Sequence, residues 1–533
     1  MNSPVSRAPA SNARHAYSGG GRRAALWLQS LALACLACGA SEARKQGNAS
    51  LGVPPAPAAN APSGGRGGGA EALADTSEMG VMPLAAAAVP TSVAGEAPPP
   101  LMLEGTKPPS NEPAGVPVTP PDAIISDCSE AELRTAPPAQ FAAFASGPID
   151  DRFPFSQHFM GEFSDDPRFI SMTSTADFDH DGDLDFASGQ RHDVGGGMLW
   201  WEYCSPDHWV RHEVGTGHTS AAGGNAADVD GDGWVDLLAG NSWYRNPTNP
   251  RTAANWQRFN IGAPGAEELV VGEVTGDATP EVLYVWRSIQ PQYWSPGADP
   301  TALWSEGPNL LAIQQQQGGA IGDLDGDGDN DLLVGYRWWY RNVNGDGSVW
   351  VTVPIFDGGF DDEPLTHLGD LDGDGDLDLV MVTHFGNRVA WGENLNGVGT
   401  EFALRILADD KDFLHAVVAA DFDNDGDLDI FAGQNVGPSW IFENQNGASS
   451  FVEHRIVADG RGHEARVGDV DCDGDLDIMG KPWGQQNEGG EDSMPPRVHL
   501  YLRNLTVERG GPRAFSRQPN EILVAAQSRV CPG

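Results

Sequence analysis

The stretch DFDHDGDLD (177–185) decides the fold, because it recurs. DLDGDGDND stands at 323–331, DLDGDGDLD at 370–378, DFDNDGDLD at 421–429 and DVDCDGDLD at 469–477. A close variant, DVDGDGWVD, runs over 228–236, and a degenerate copy, EVTGDATPE, over 273–281. The start positions 177, 228, 273, 323, 370, 421 and 469 are 51, 45, 50, 47, 51 and 48 residues apart. A period of about 48 residues is the length of a four-stranded propeller blade.

The repeating unit is larger than its acidic core. A short apolar run follows each copy, as at 186–189, 237–240, 332–335, 379–382 and 430–433, and such runs mark strands buried on both faces. Next comes an aromatic strand often ending in Asn, at 243–246, 339–342, 440–444 and 501–504. A further extended segment follows at 209–214, 256–261 and 451–456. With the apolar residues before each acidic stretch, four strands per unit result. The chain is therefore expected to be all-β, a seven-bladed β-propeller with four-stranded blades over 147–533, preceded by a disordered stalk. Blade 7 is expected to take its outer strand from near Phe515 to Val524, and the segment from Phe153 to Met160 is available as a clasp.

Carboxylates at alternate positions can wrap their oxygens around one hard cation, and Gly at position 6 permits the sharp turn this needs. The chemistry expected is Ca2+ at about six structural sites. Their residues are Asp177, Asp179, Asp181, Asp183 and Asp185 in the first loop and Asp228, Asp230, Asp232 and Asp236 in the second. They are Asp323, Asp325, Asp327, Asp329 and Asp331 in the fourth, and Asp370, Asp372, Asp374, Asp376 and Asp378 in the fifth. The sixth has Asp421, Asp423, Asp425, Asp427 and Asp429, and the seventh Asp469, Asp471, Asp473, Asp475 and Asp477. At Glu273, Thr275 and Ala278 weaken both the charge and the turn. Two carboxylates about 4 Å apart repel by roughly 4 kcal/mol at an intermediate dielectric, so a counter-ion is the natural complement of four or five together. An EF-hand is excluded, since it needs Glu at position 12, where Ser188, Ala239, Tyr284, Val334, Met381, Ala432 and Gly480 stand. Cys472, at position 4 of its loop, is not expected to ligate; it faces solvent or pairs.

The pattern resembles the FG-GAP, or VCBS, repeat family, whose blades also build integrin α-subunit propellers. The resemblance covers about 147–533, implies a calcium-binding propeller, and says little of function.

Acidic residues outnumber basic ones 75 to 32, a formal charge of −43, which argues against nucleic acid as partner. Residues 1–40 read as an export signal: Arg22 and Arg23 precede an apolar run from Ala24 to Ala37, too short for a stop-transfer helix. Cys35 and Cys38 lie in LALACLACGA, which resembles a lipoprotein cleavage site, and the resemblance implies an outer-membrane tether through a lipidated Cys. Residues 41–146 are rich in Ala, Pro, Gly and Ser and read as a flexible linker. Export makes one or two disulfides among Cys128, Cys204, Cys472 and Cys531 expected, with no pairing specified.

If each acidic loop joins strands 1 and 2, the other ends of those strands meet on the opposite face. Arg191, Arg287, Arg337, His384 and Trp483 stand fourteen residues after a loop start, and His415 and His463 six before one. This ring is a candidate ligand site, with Arg as clamps for an anionic group and Trp483 as a stacking platform. The equally simple alternative is a channel rim whose side chains pair with acidic neighbours. The chain reads as an exported monomeric binding or adhesion module for a carbohydrate or extracellular protein. The alternative is a polysaccharide lyase in which His384 or His415 abstracts a proton. There is no GxSxG, HExxH or CxxC.

Overall fold

A computed structural model describes residues 146–162, 170–191, 196–219, 223–263, 268–286, 290–308, 310, 317–358, 360, 363–435, 437–458, 462–481 and 498–512. All belong to the unit Ser110–Gly533. The export signal, the linker up to 145, Cys35, Cys38, Cys128, Cys531, Arg287 and Trp483 lie outside the described residues. No helix among the described residues is long and apolar enough to cross a membrane.

The strands form seven four-stranded antiparallel sheets, each a meander in sequence order except the last. Blade 5 shows the plan, with strands Pro364–Gly369, Asp378–Thr383, Val389–Asn394 and Phe402–Ala408. Every residue of its second strand is buried, as the continuous apolar run requires, whereas the outer strand alternates little and stays half exposed. The first strands of successive blades pack on one another around the ring, and that of blade 1 (Ile170–Ala176) meets that of blade 7 (Glu464–Gly468).

Closure differs from the sequence expectation. The outer strand of blade 7 is Ser156–Glu162, which pairs antiparallel with Val498–Arg503 from Ser156↔Arg503 to Glu162↔Val498, while the 515–524 segment expected in that place lies outside the described residues. The clasp thus joins the start of the propeller to its end, which replaces a missing edge by a ladder of hydrogen bonds and protects both. The strand is in phase with the repeat: Ser156 stands 21 residues before the loop start at 177, as His208, Trp350 and Phe402 stand 20, 20 and 19 residues before those at 228, 370 and 421.

The core lies between blades. Trp200, Tyr244 and Trp256 fill the wedge between blades 1 and 2; Leu333, Trp339 and Met381 fill that between blades 4 and 5. Trp200 and Trp339 are fully buried, and burying a large aromatic side chain stabilises by about 2–3 kcal/mol. Position 2 of every acidic stretch is part of the same core: Phe178, Val229, Val274, Leu324, Leu371, Phe422 and Val470 are each at most 1 % exposed. The position-2 side chain thus anchors each loop to the blade beneath it, joined at position 8 by the buried Leu184, Val235 and Leu476 in blades 1, 2 and 7.

Candidate metal centres and the opposite face

Each acidic stretch is the connection between strands 1 and 2 of its blade, as expected. Position 6 carries a left-handed backbone throughout, with φ 103° at Gly182, 98° at Gly328 and 66° at Ala278. Position 4 does too: His180, Gly231, Gly276, Gly326, Gly373, Asn424 and Cys472 have φ between 58° and 76°. The sequence reading recognised only position 6. Gly and Asn tolerate this region at low cost, while Cys472 does not, and its sulfur is fixed in a disulfide. Cys204 is disulfide-bonded as well.

The two left-handed residues curl the chain so that its amides face inward onto position 1. Asp323 accepts the amide of Asp327 at 3.1 Å and that of Gly328 at 3.0 Å. Asp421, Asp469 and Asp177 do the same. Carboxylate oxygens of Asp177, Asp179 and Asp185 lie within 4.8 Å of one another, as do those of Asp228, Asp230 and Asp232, of Asp323, Asp325 and Asp331, and of Asp370, Asp372 and Asp374.

Position 9 has a second task. Asp331 accepts the amide of Leu324 at 2.9 Å with one oxygen and that of Asn342 at 2.9 Å with the other. Asp185, Asp236, Asp378, Asp429 and Asp477 bridge the equivalent amides in their own blades. These residues therefore tie the acidic loop to strand 3 whatever else they ligate.

Hard oxygen donors and their burial fit a divalent cation. The Oδ1 atoms of Asp183, Asp329, Asp376 and Asp475, all at position 7, are buried and receive no hydrogen bond, as are Asp325 Oδ1 and Asp471 Oδ1 at position 3. A buried anionic oxygen without a donor costs free energy unless a cation meets it. Desolvation, and then the neighbouring carboxylates, push Asp179 up to about 8, and desolvation pushes Asp331 up to about 8 and Asp378 up to about 7. The Glu273 stretch is built differently. Glu273 caps its own loop amides, Thr275 donates to Glu281 at 2.9 Å, and Asp277 accepts from Thr279. Its side chains satisfy one another.

At the other end of the blades, Arg191, His384, His415 and His463 come together. His415 and His463 stack with centroids 3.7 Å apart, and His384 meets His415 edge-on at 5.0 Å. His384 Nδ1 lies 2.9 Å from Glu363 Oε2, and His415 Nδ1 lies 2.8 Å from the His463 carbonyl. Arg191 lies close enough to depress the basicity of His463 and Lys481, each lowered chiefly by burial. Arg337 is not part of this cluster: it lies over the Tyr336 ring and donates to the Asp357 carbonyl at 3.0 Å.

The sequence reading missed Lys481, whose buried Nζ is 3.3 Å from His463 Nδ1 and 3.5 Å from Glu464 Oε2. It ends strand 2 of blade 7, and a Lys in a chain with only four of them was the available signal. It also missed Phe385 and Phe413, 47 % and 38 % exposed, which flank His384 at 4.2 and 5.8 Å. The Lys411 amide donates to the Asn387 carbonyl at 3.1 Å and so joins the two loops that carry these rings. Beneath them, the axial channel contains a cavity of about 150 Å³ lined in part by Glu268, His367, His415, Glu464 and Arg466.

The FG-GAP-like repeat family matches residues 370–432 and 421–480, and the FG-GAP repeat family matches 317–352. Blades 4 to 7 are FG-GAP repeats. Two of the matches run from the start of one acidic stretch into the second strand of the next blade, and the third runs from just before the first strand of blade 4 into its fourth. No curated protein matches the chain in sequence. Among solved structures, the V. cholerae biofilm matrix protein Bap1 is similar at 10 % identity, over 70 % of this chain and 96 % of that one, with TM-score 0.36. BBS1N in complex with ARL6DN, soaked with lead, is similar at 11 % identity, over 64 % of this chain and 93 % of that one, with TM-score 0.40. At such identities and scores a likeness of chain traces carries no functional information.

Proposed function

We propose that this chain is an exported FG-GAP propeller, 147–533, carried on the 41–146 linker behind the 1–40 signal. In this reading calcium holds its acidic loops in shape, and the face opposite those loops binds a carbohydrate or an extracellular protein. The observation that carries the calcium part is the set of buried, donorless carboxylate oxygens at position 7 of four loops. Residues at positions 1, 3, 5, 7 and 9 of blades 1, 4, 5, 6 and 7, and at 1, 3, 5 and 9 of blade 2, would hold the ion, and binding that needs a formed loop becomes folding free energy. The cluster of His384, His415 and His463 with the exposed Phe385 and Phe413 supports the ligand face, since exposed aromatic rings beside polar groups are typical of recognition surfaces.

The test is a binding screen of the mature chain with calcium against neutral and acidic polysaccharides, reading retention and products. Retention lost on substituting Phe385→Ala and Phe413→Ala supports the reading. Retention indifferent to both substitutions removes the ligand face. The Glu363-oriented His384 also suits a general base, so unsaturated oligosaccharide products would assign the same face to a lyase instead.

A further inference from the structure

In blades 2, 4 and 7 the residue before the strand-3 Asn is Arg, and its guanidinium reaches the acidic loop of its own blade in one repeated geometry. Arg341 Nε lies 2.6 Å from Asp325 Oδ2 at position 3, and its terminal nitrogen 3.1 Å from Asp327 Oδ2 at position 5. Arg245 meets Asp230 and Asp232 at 2.6 and 3.1 Å, and Arg503 meets Asp471 and Asp473 at 2.5 and 3.1 Å.

In blades 1, 5 and 6 the same strand position holds Glu202, Glu393 and Glu443. Two of these blades import a guanidinium. Arg251, from the connection before the outer strand of blade 2, places Nε 2.7 Å from Asp179 Oδ2 and a terminal nitrogen 2.7 Å from Asp181 Oδ2, and also reaches Glu202 at 2.9 Å. Arg152, just ahead of the clasp strand, contacts Asp423, lies 3.7 Å from Asp425, and binds Glu443 at 2.6 Å. Blade 5 does neither among the described residues: Arg405 pairs with Glu393 and goes no further.

The guanidinium stands outside the cage. It takes the Oδ2 atoms, while Asp325 Oδ1 and Asp471 Oδ1, on side chains 4 % and 9 % exposed, remain buried without a donor. An arginine in this place both offsets carboxylate repulsion and fixes two carboxylates for an ion on their other side.

We infer that Arg245, Arg341, Arg503, Arg251 and Arg152 are built-in counter-cations of five acidic loops, and that the Asp370–Asp378 loop, lacking one, depends most on calcium for its shape. The inference rests on the calcium reading above. In it, each arginine substitutes for part of what the ion does when calcium is scarce.

The experiment measures the melting temperature of the full mature chain in excess chelator and in saturating calcium. Arg341→Gln should lower the chelated value by several degrees and the calcium-loaded value little, widening the calcium-induced shift. Arg341→Lys, which keeps the charge, should fall between. Glu393→Arg, which gives blade 5 the residue of blades 2, 4 and 7, should narrow the shift. Equal lowering by Arg341→Gln in both conditions, or a shift left unchanged by Glu393→Arg, overturns the inference. Should the wild-type chain show no calcium-induced shift at all, the calcium reading itself fails, a different result from either of these.

Discussion

Asn342 Nδ2 donates to the Val274 carbonyl at 2.8 Å, across a blade boundary and 68 residues along the chain. The same amide reaches the Asn330 carbonyl at 3.2 Å, while its Oδ1 accepts the Gly347 amide at 3.1 Å. Asn246, Asn394, Asn444 and Asn504 repeat the contact, each onto position 2 of the preceding loop. With the position-9 carboxylate binding the Asn amide, a single Asp–Asn pair holds loop, strand 3 and neighbouring blade together.

Replacing Asn342 by Ala should therefore be costly for a polar truncation. It removes this partner from the Val274 and Asn330 carbonyls and from the Gly347 amide, at about 1–3 kcal/mol for each group left unsatisfied. Chemical denaturation should show it, with Asn396→Ala, in an exposed turn of blade 5, as control. A change within about 0.5 kcal/mol, the scale of surface substitutions, would deny the staple its role.

The staple also shows what could be read ahead. The strand ending in Asn was visible in the sequence, as were the period, the apolar second strand and the acidic loops, because all repeat and repetition separates signal from chance. What the Asn side chain does was not visible, since its partner lies in another blade. Position 4 went unread because Gly, Asn, His and Cys share no property there except a left-handed backbone. His384, His415 and His463 were found by their phase relative to the loops, and Arg337, at an equivalent phase, turned instead to Asp357.

Stability in the absence of calcium should fall as pH rises. Burial and neighbouring carboxylates raise the folded-state values of Asp177 and Asp376 to about 6, of Asp378 to about 7 and of Asp331 to about 8, whereas an unfolded Asp titrates near about 3.9. A carboxyl raised in the folded state contributes most below the unfolded value and loses that contribution as pH climbs through the folded value. Melting in chelator should thus decline from about pH 4 to about pH 8, and saturating calcium, which favours the ionised form, should flatten or reverse the slope. A chelated melting temperature that climbs over this range would contradict the assignment.

Lys481 is fully buried beside Glu464 and His463. Lys481→Met should cost about 1–3 kcal/mol, because it removes the ammonium beside Glu464 and leaves that carboxylate only the Thr173 hydroxyl, at 3.0 Å, and the Arg466 charge. Adding Glu464→Gln should recover much of the loss. If the double variant is no more stable than the single one, the pair is not what holds this end of blade 7.

Ring closure makes the sharpest structural test. The clasp Ser156–Glu162 pairs with Val498–Arg503 and is preceded by Phe153 and Phe155, 0 % and 1 % exposed in the wedge between blades 6 and 7. A chain beginning at residue 164 loses the outer strand of blade 7, its side of that ladder and two buried rings at once. A chain ending at 512 keeps Thr506–Gly511, whose Val507 amide caps Asp475 at 2.9 Å, and loses only residues after the last described strand. The first truncation should abolish cooperative unfolding in calcium, and the second should leave it nearly intact. The reverse result would restore the 515–524 segment as the closing strand and make the N-terminal clasp dispensable.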